Sequence, residues 1–450
     1  MMTNELLFEA NKERLLDVIK RSQSTKYYRD IINNLNVDLL SNFTYENFKK
    51  IPIISKETYK QYAFSMVGDR FSLNKDYYDS LGNDITKKRE YLYEKGFLLK
   101  ATSGSTGKPL EVIKSLKENT NDYMHLNRIR KKITNYTFGG KFLWIWPANP
   151  ITRKILYSND EVSTIIPINK YGYQYMLYEH DDNNFKSICE FIIKNEIEWI
   201  TTSPSVLYSL SNYVFRKNIE LKKLKYLECQ SEFLFDWQRN RIEEVFNITP
   251  TNIYSSNEVQ FIGAQCSNDN MHLFNQKCFI EFIDVDNHQT KQICVTALNY
   301  FDLPMIRYKL GDCGNWSEHK QCNCPLTGFP LFALNQYRLN DFIVSKDGTR
   351  IEPFIVTDSI LFINNIFNLN ISFYKVIQSD YNIFEYIFYD DIPRKHIASI
   401  KLYLQNYLKE LLKYPIAVNI QNGAKNEFAV SKGKFRYFIN QTNSLKFHHK

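Results

Sequence analysis

Between residues 139 and 259 the apolar period of this chain changes again and again, and that alternation limits its fold more than any other feature. "GGKFLWIWPAN" is a short apolar run that stops at a proline, the pattern of a buried strand entering a turn. "FKSICEFIIKNEIEWITTSPSVLYSLSNYVF" carries a helical stripe, an apolar run, a Ser-Pro loop and a second helical stripe. "LKYLECQSEFLFDWQRNRIEEVFNITPTNIYSSNEV" repeats the order as strand, loop, helix and strand. Strands joined by helical crossovers pair in parallel and need helices against the sheet faces. The expected class is therefore α/β, with a mixed, largely parallel sheet.

The flanks read differently. Up to about Lys95 the pattern is mostly helical, broken by polar turns such as "SKETYK". From about Met271 it becomes strand after strand, as in "KCFIEFIDVD" and "KQICVTALNY". Near Tyr337 the character changes once more. "ISFYKVIQSDYNIFEYIFYDD" reads as a hairpin, "RKHIASIKLYLQNYLKELLKY" as an amphipathic helix and "PIAVNIQ" as a strand. A chain of 450 residues has room for two or three domains. The expected division is a large N-terminal domain over 1–337 and a small α+β domain over 338–450.

Composition narrows the function classes. The net charge of +8 is mild for this length and scattered, so it favours small anionic ligands over nucleic acid. No apolar run reaches the roughly 18 residues of a membrane span, and the charged amphipathic start is unlike a signal peptide. A soluble cytoplasmic protein is expected. In that setting its eight cysteines read as metal ligands or core residues, not as a disulfide framework.

One loop stands apart. "TSGSTGKP" sets four hydroxyls (Thr102, Ser103, Ser105, Thr106), two glycines (Gly104, Gly107) and Lys108 between apolar flanks. Glycines let backbone N–H groups converge on an anion, and the hydroxyls and the ammonium add donors. It is not a Walker loop, because only two residues separate the glycines and Pro109 stands where the metal-binding hydroxyl would be. A phosphate loop of another kind and a plain surface turn both remain open on the residues alone.

Four more stretches follow in order: "SPSVL" from Ser203, "IYSSNEV" from Ile253, "RYKLGD" from Arg307 and "SKGKFR" from Ser431. With "TSGSTGKP" in front, the series resembles that of the adenylate-forming enzymes, the acyl-CoA synthetase superfamily. Within it the chain is most similar to the phenylacetate–CoA ligase branch, which includes the capsule-biosynthesis CapK proteins. The resemblance spans nearly the whole chain, and it implies an adenylate-forming large domain joined to the small domain by a hinge.

The resemblance also implies roles. Thr102, Ser103, Gly104, Ser105, Thr106 and Gly107 would hold the β- and γ-phosphates of ATP, with Lys108 as a further contact. Glu258 would be the Mg²⁺ ligand, Tyr254 would flank the adenine and Asp312 would accept the ribose hydroxyls. "QYRLNDFIV" resembles the hinge, with Arg338 on the nucleotide and Asn340 at the pivot. Lys434 would carry the adenylation step by bringing a point charge between carboxylate and α-phosphate. Ser255, Asn257, Tyr337 and Asn340 depart from the usual residues of the series.

Cys266 and His272 are followed some fifty residues later by the "CNC" pair Cys322 and Cys324. This N/S set suits a tetrahedral structural zinc, and comparable Cys and His positions occur in parts of the phenylacetate–CoA ligase branch. The alternative is a group of free buried cysteines. Cys313 is close enough in sequence to replace one ligand.

The function expected is ATP-dependent activation of a carboxylic acid as its acyl-adenylate, followed by transfer to a thiol such as CoA or to an amine, in capsular polysaccharide biosynthesis. ATP and Mg²⁺ are the expected cofactors. The partners are small acids and acceptors, with no nucleic acid and no membrane span, and a second copy of the chain as a homodimer. Two rivals stand beside it: an aryl–CoA ligase proper and a non-catalytic nucleotide-binding homologue.

Overall fold

Six short helices open the chain, and each starts on the same device. α1 (Asn4–Ser22), α2 (Lys26–Asn33), α3 (Tyr45–Phe48), α4 (Lys56–Tyr62), α5 (Lys75–Ser80) and α6 (Ile85–Glu94) are capped by Thr3, Thr25, Thr44, Ser55, Asn74 and Asp84. In every case the cap's side-chain oxygen accepts the backbone N–H three residues on. Each such cap stabilises its helix by about 1 kcal/mol, which fixes where these short helices begin. The computed structural model of the chain describes residues 2–101, 110–134, 140–147, 164–177, 181–284, 291–319, 321–338, 342–351, 354–367, 369, 371, 374–389, 392–422 and 437–442.

Next, β1 (Phe97–Ala101) and β2 (Glu111–Ser115) pair antiparallel, with Lys100 opposite Val112 and Leu98 opposite Lys114. They lead into α7 (Leu116–Thr134). The alternating region follows as β3 (Phe142–Pro147), β4 (Ile165–Pro167), β5 (Gly172–Leu177), α8 (Asp182–Asn195), β6 (Trp199–Thr202), α9 (Pro204–Lys217), β7 (Tyr226–Gln230), α10 (Asp236–Phe246) and β8 (Thr251–Ser256). α9 begins with Pro204 in its first turn and ends on Asn218 in the left-handed region. Those are the residues that suit each end. The antiparallel region adds β9 (Gln260–Gln265), β10 (Met271–Leu273), β11 (Cys278–Ile283), β12 (Lys291–Ala297), β13 (Tyr308–Trp316) and β14 (Leu331–Arg338).

Twelve of these strands form one sheet in the order β11-β12-β13-β14-β10-β9-β8-β7-β6-β3-β5-β4. β5, β3, β6, β7 and β8 pair in parallel. The pairs β8–β9, β9–β10, β10–β14, β11–β12 and β12–β13 are antiparallel. The described connections from β5 to β6, β6 to β7 and β7 to β8 are helical crossovers, whereas the β8–β9 and β11–β12 pairs are antiparallel hairpins. Each half has its own core. Leu143, Ile145, Ile200, Leu227 and Cys229 of the parallel half pack on Ile188, Val206, Leu210 and Ile242 of the helices. On the other half, Leu7, Phe8, Leu15 and Ile19 of α1 share a core with Phe279, Ile280, Ile293 and Val295.

The chain divides into two compact units, Met1–Leu177 with Asp182–Leu334, and Tyr178–Asp181 with Asn335–Lys450. The second unit contains β15 (Ile343–Val344), β16 (Arg350–Ile351), α11 (Phe354–Phe367), β17 (Tyr374–Asp380), β18 (Ile383–Phe388), α12 (Arg394–Leu412), β19 (Ala417–Asn422) and β20 (Phe438–Asn440). Its four-stranded sheet runs β19-β18-β17-β20, an antiparallel hairpin with a parallel strand on each side. Leu404, Leu408 and Leu412 of α12 bury against Val376, Phe384 and Tyr386. The unit is α+β, as the hairpin and amphipathic helix patterns predict.

Candidate functional site

Two pairs of side chains far apart in sequence meet at the curled middle of the large sheet. Tyr254 lies on β8 and Glu258 in the turn that leaves it; Tyr308 and Asp312 lie on β13. The Tyr254 hydroxyl donates to Asp312 Oδ2 at 2.9 Å. The Tyr308 hydroxyl donates to Glu258 Oε1 at 2.8 Å. The members of each strand's pair are four residues apart and run in opposite senses, so the contacts form two rungs between β8 and β13. Three strands lie between these two in the sheet order, and only a curled sheet lets their side chains touch.

Local backbone explains how each group is presented. β12 and β13 are in register at Gln292–Cys313 and again at Cys294–Lys309, so β13 carries surplus residues between Lys309 and Cys313. Asp312 sits in this bulge behind Gly311, whose φ of +85° only glycine adopts easily. A bulge re-aims a side chain, and here it leaves Asp312 half-buried instead of in the strand's alternation. The β8–β9 turn is held by the Ser256 hydroxyl, which accepts the N–H of Val259 at 3.0 Å. Glu258 is buried and Tyr254 half-buried, the Tyr254 ring lying 6.1 Å from that of Phe332. Burial and the neighbouring Glu258 carboxylate push the Tyr308 phenol far above its ordinary range, which keeps it a donor.

Arg307, first residue of the "RYKLGD" stretch, has a structural task. Its guanidinium donates to both carboxylate oxygens of Glu281, at 3.0 and 3.2 Å, and to the carbonyls of Lys49 and Ile51. This buried fork fastens the segment after α3 to β11 and β13.

A second cluster joins Cys266, His272, Cys322 and Cys324, whose donor atoms all lie within 4.8 Å of one another. Cys266 follows β9 and His272 lies on β10, while Cys322 and Cys324 come from the connection between β13 and β14. Cys266 Sγ is 3.6 Å from Cys322 Sγ, and Cys324 Sγ is 3.2 Å from His272 Nε2. Tetrahedral zinc would set such donors about 3.5 to 3.8 Å apart, so the set has the chemistry for that ion and the Cys266–Cys322 separation matches its spacing. Gly263 allows this packing: a Cβ there would come within 2.6 Å of the His272 carbonyl oxygen. Burial opposes ionisation of Cys322, yet amide donors from Asn268 and Asn270 and its thiol neighbours bring its pKa below the usual value. Cys313, the substitute ligand considered from sequence, is wholly buried on β13 and outside this cluster. Cys189, Cys229, Cys278 and Cys294 are buried free thiols.

Thr102, Ser103, Gly104, Ser105, Thr106, Gly107, Lys108, Asn340 and Lys434 are outside the described residues, and Arg338 is described only as the last residue of β14. Tyr308 was missed as a site residue although it stands inside the quoted motif. Its signal was a tyrosine four residues before Asp312, matching the spacing of Tyr254 and Glu258.

No family model and no curated protein matches the chain. Solved structures do resemble it. A 2-hydroxyisobutyryl-CoA ligase in the postadenylation state with 2-HIB-AMP is similar over 96% of this chain and 89% of that one, with TM-score 0.65 and 15% identity. The anthranilate CoA ligase AuaEII with anthranoyl-AMP is similar over 75% of this chain and 66% of that one, with TM-score 0.50 and 11% identity. Fatty acyl-adenylate ligases studied from E. coli and L. pneumophila give TM-score 0.50, 14% identity, and coverage of 75% and 67%. The likeness is one of fold: the chain has the α/β architecture of adenylate-forming ligases.

Proposed function

We propose that this protein is an ATP-dependent, AMP-forming ligase that activates a carboxylic acid as its acyl-adenylate and passes the acyl group to a thiol or amine acceptor. The observation that carries the reading is the pair of rungs, Tyr254–Asp312 and Glu258–Tyr308. The four residues come from the two motifs that the resemblance assigns to nucleotide and metal, and their side chains meet in space.

In this reading the Asp312 carboxylate accepts the ribose hydroxyls, and the Tyr254 hydroxyl fixes its orientation. Glu258, hydrogen-bonded at one oxygen, is the carboxylate donor that Mg²⁺ prefers, and the ion would supply charge neutralisation at the phosphates. The run from Thr102 to Gly107, with Lys108, holds the β- and γ-phosphates. Arg338 contacts the nucleotide at a hinge dividing 1–337 from 338–450, and Lys434 delivers its charge to the reacting carboxylate and α-phosphate. Cys266, His272, Cys322 and Cys324 hold a structural zinc that supplies cross-linking and no open coordination position. The acceptor is CoA or an amine, the setting is a cytoplasmic step of capsule or other polysaccharide assembly, and the chain works as a homodimer.

Pyrophosphate release with a panel of carboxylic acids tests the reading. Release that depends on an added acid, and that disappears in Lys434→Ala while ATP still binds, is the expected result. Absence of acid-dependent release across aryl, uronic and short aliphatic acids would overturn it.

A further inference from the structure

Behind the hairpin of β1 and β2 lies a buried set of charges that does not balance. Lys114 and Asp122 are almost wholly buried, and so is Lys277. Asp122 divides its carboxylate between the two lysines: Oδ2 lies 2.8 Å from Lys114 Nζ and Oδ1 lies 3.0 Å from Lys277 Nζ. Tyr300 closes the group, donating from its hydroxyl to Asp122 and lying under Lys114, whose Nζ is 3.8 Å from the ring centroid. Lys277 Nζ also donates to the Val259 carbonyl at 2.5 Å, beside Glu258.

Lys100 is the third cation. Its partner in the hairpin is Val112, two residues from Lys114, so Lys100 and Lys114 lie on one face of the ribbon as diagonal neighbours. Asp122 is already shared, and no ion pair within 4.0 Å reaches Lys100 among the described residues. Three ammonium groups therefore share Asp122, and the one other carboxyl acting on them, Glu118, reaches Lys114 from α7. Burying unmatched charge is costly unless a counter-ion arrives or a proton leaves. Lys100 is also the residue next but one before Thr102, where the hydroxyl-rich run begins.

We propose that Lys100, backed by Lys114 and Lys277, forms a cationic seat for a di- or triphosphate, and that Lys100 meets the anion directly. This rests on the ligase reading above and adds a contact which that reading does not contain. The electrostatics of the seat support it. Burial, opposed by Asp122 and assisted by Lys277, lowers the Lys100 ammonium to about 8. Lys114 is driven down by burial as well, with Asp122 holding it up and Lys277 and Lys100 pressing it further. The other charged groups of the packed elements are accounted for. Glu111 faces the opposite side of the ribbon, paired with Lys88 of α6. Glu118 of α7 accepts the N–H groups of Phe301 and Asp302, and His125 is held neutral by burial beside Lys277. An arriving polyphosphate supplies the missing negative charge, so binding at about pH 8 should draw a proton onto Lys100.

Calorimetry of Mg-ATP and of inorganic pyrophosphate at pH 8 to 8.5, in buffers of different ionisation enthalpy, reads this directly. The wild-type protein should take up about half a proton per ligand at pH 8. Lys100→Met should bind about tenfold more weakly with no uptake. Lys100→Arg should restore affinity without uptake, because arginine stays charged. Melting curves separate folding from binding: removing a half-buried ammonium with no ion-pair partner among the described residues should leave Lys100→Met at least as stable as wild type. Equal affinity and equal uptake in Lys100→Met overturn the seat while leaving the ligase reading standing. Wild-type protein that binds neither ligand overturns both.

Discussion

Tyr254 and Asp312 are 58 residues apart in sequence and 2.9 Å apart in space, hydroxyl to carboxylate. That contact exists because β13 carries a bulge at Gly311 and because the sheet curls between β8 and β13. It makes Asp312 a group whose direction is set before any ligand arrives. Replacing Asp312 by Asn should weaken ATP binding strongly, while Tyr254→Phe should weaken it about tenfold at most, since it removes only the orienting bond. In the double variant the two losses should not add, because both act on one carboxylate. Additive losses in a double-mutant cycle of ATP affinity would show that the bond positions nothing.

The second rung predicts a metal effect. Tyr308→Phe removes the hydroxyl on Glu258 Oε1 and keeps the ring that packs on Tyr59. The Mg²⁺ concentration for half-maximal pyrophosphate release should shift several-fold, with a modest loss of stability of about 1 kcal/mol for the buried hydrogen bond. A Mg²⁺ titration unchanged from wild type would separate Glu258 from the metal.

The Cys–His cluster predicts one tightly held zinc per chain. Chelator-washed protein should retain about one equivalent, and Cys322→Ser/Cys324→Ser should lose it together with several degrees of melting temperature. Cys313→Ser should keep the metal, because that thiol is buried in β13 away from the four donors. Full stability of the double serine variant would refute a structural role.

Glu118 predicts a pH dependence of stability. Burial raises its carboxyl to about 7, although the backbone N–H groups of Phe301 and Asp302 favour the charged form. A carboxyl raised in the folded state binds its proton more tightly there than when unfolded. Its contribution is full below the unfolded value and is lost as pH rises through about 7. Between pH 5 and pH 7 wild type should therefore lose stability relative to Glu118→Gln, and the difference should change no further above pH 8. Parallel urea titrations of both proteins at four pH values measure this. Identical pH profiles would exclude Glu118 as the source.

How much of this was legible beforehand follows the range of the physics. The strand–helix alternation from β3 to β8 was readable because period and turn residues are local, as Pro204 and Asn218 at the ends of α9 show. The four metal-type donors were readable because ligand chemistry is carried by residue type. The two rungs were half readable: the motifs gave Tyr254, Glu258 and Asp312, whereas the pairing of Tyr308 with Glu258 depends on the curl of the sheet. The lysine seat was invisible. In sequence Lys100, Lys114 and Lys277 look like ordinary solvated lysines, and burial by a fold is not encoded in any short window.

The core that α1 shares with β11 and β12 has a consequence for synthesis. Phe8 stacks its edge against Phe279, the Asn4 side chain holds the backbone of Phe282, and Tyr28 accepts the N–H of Ile306. α1 and α2 are thus finished by strands made some 270 residues later. At about 5 to 20 residues per second, that is a wait of roughly 15 to 55 seconds with an apolar face uncovered. During that interval the apolar face of α1 lacks the strands that complete its core.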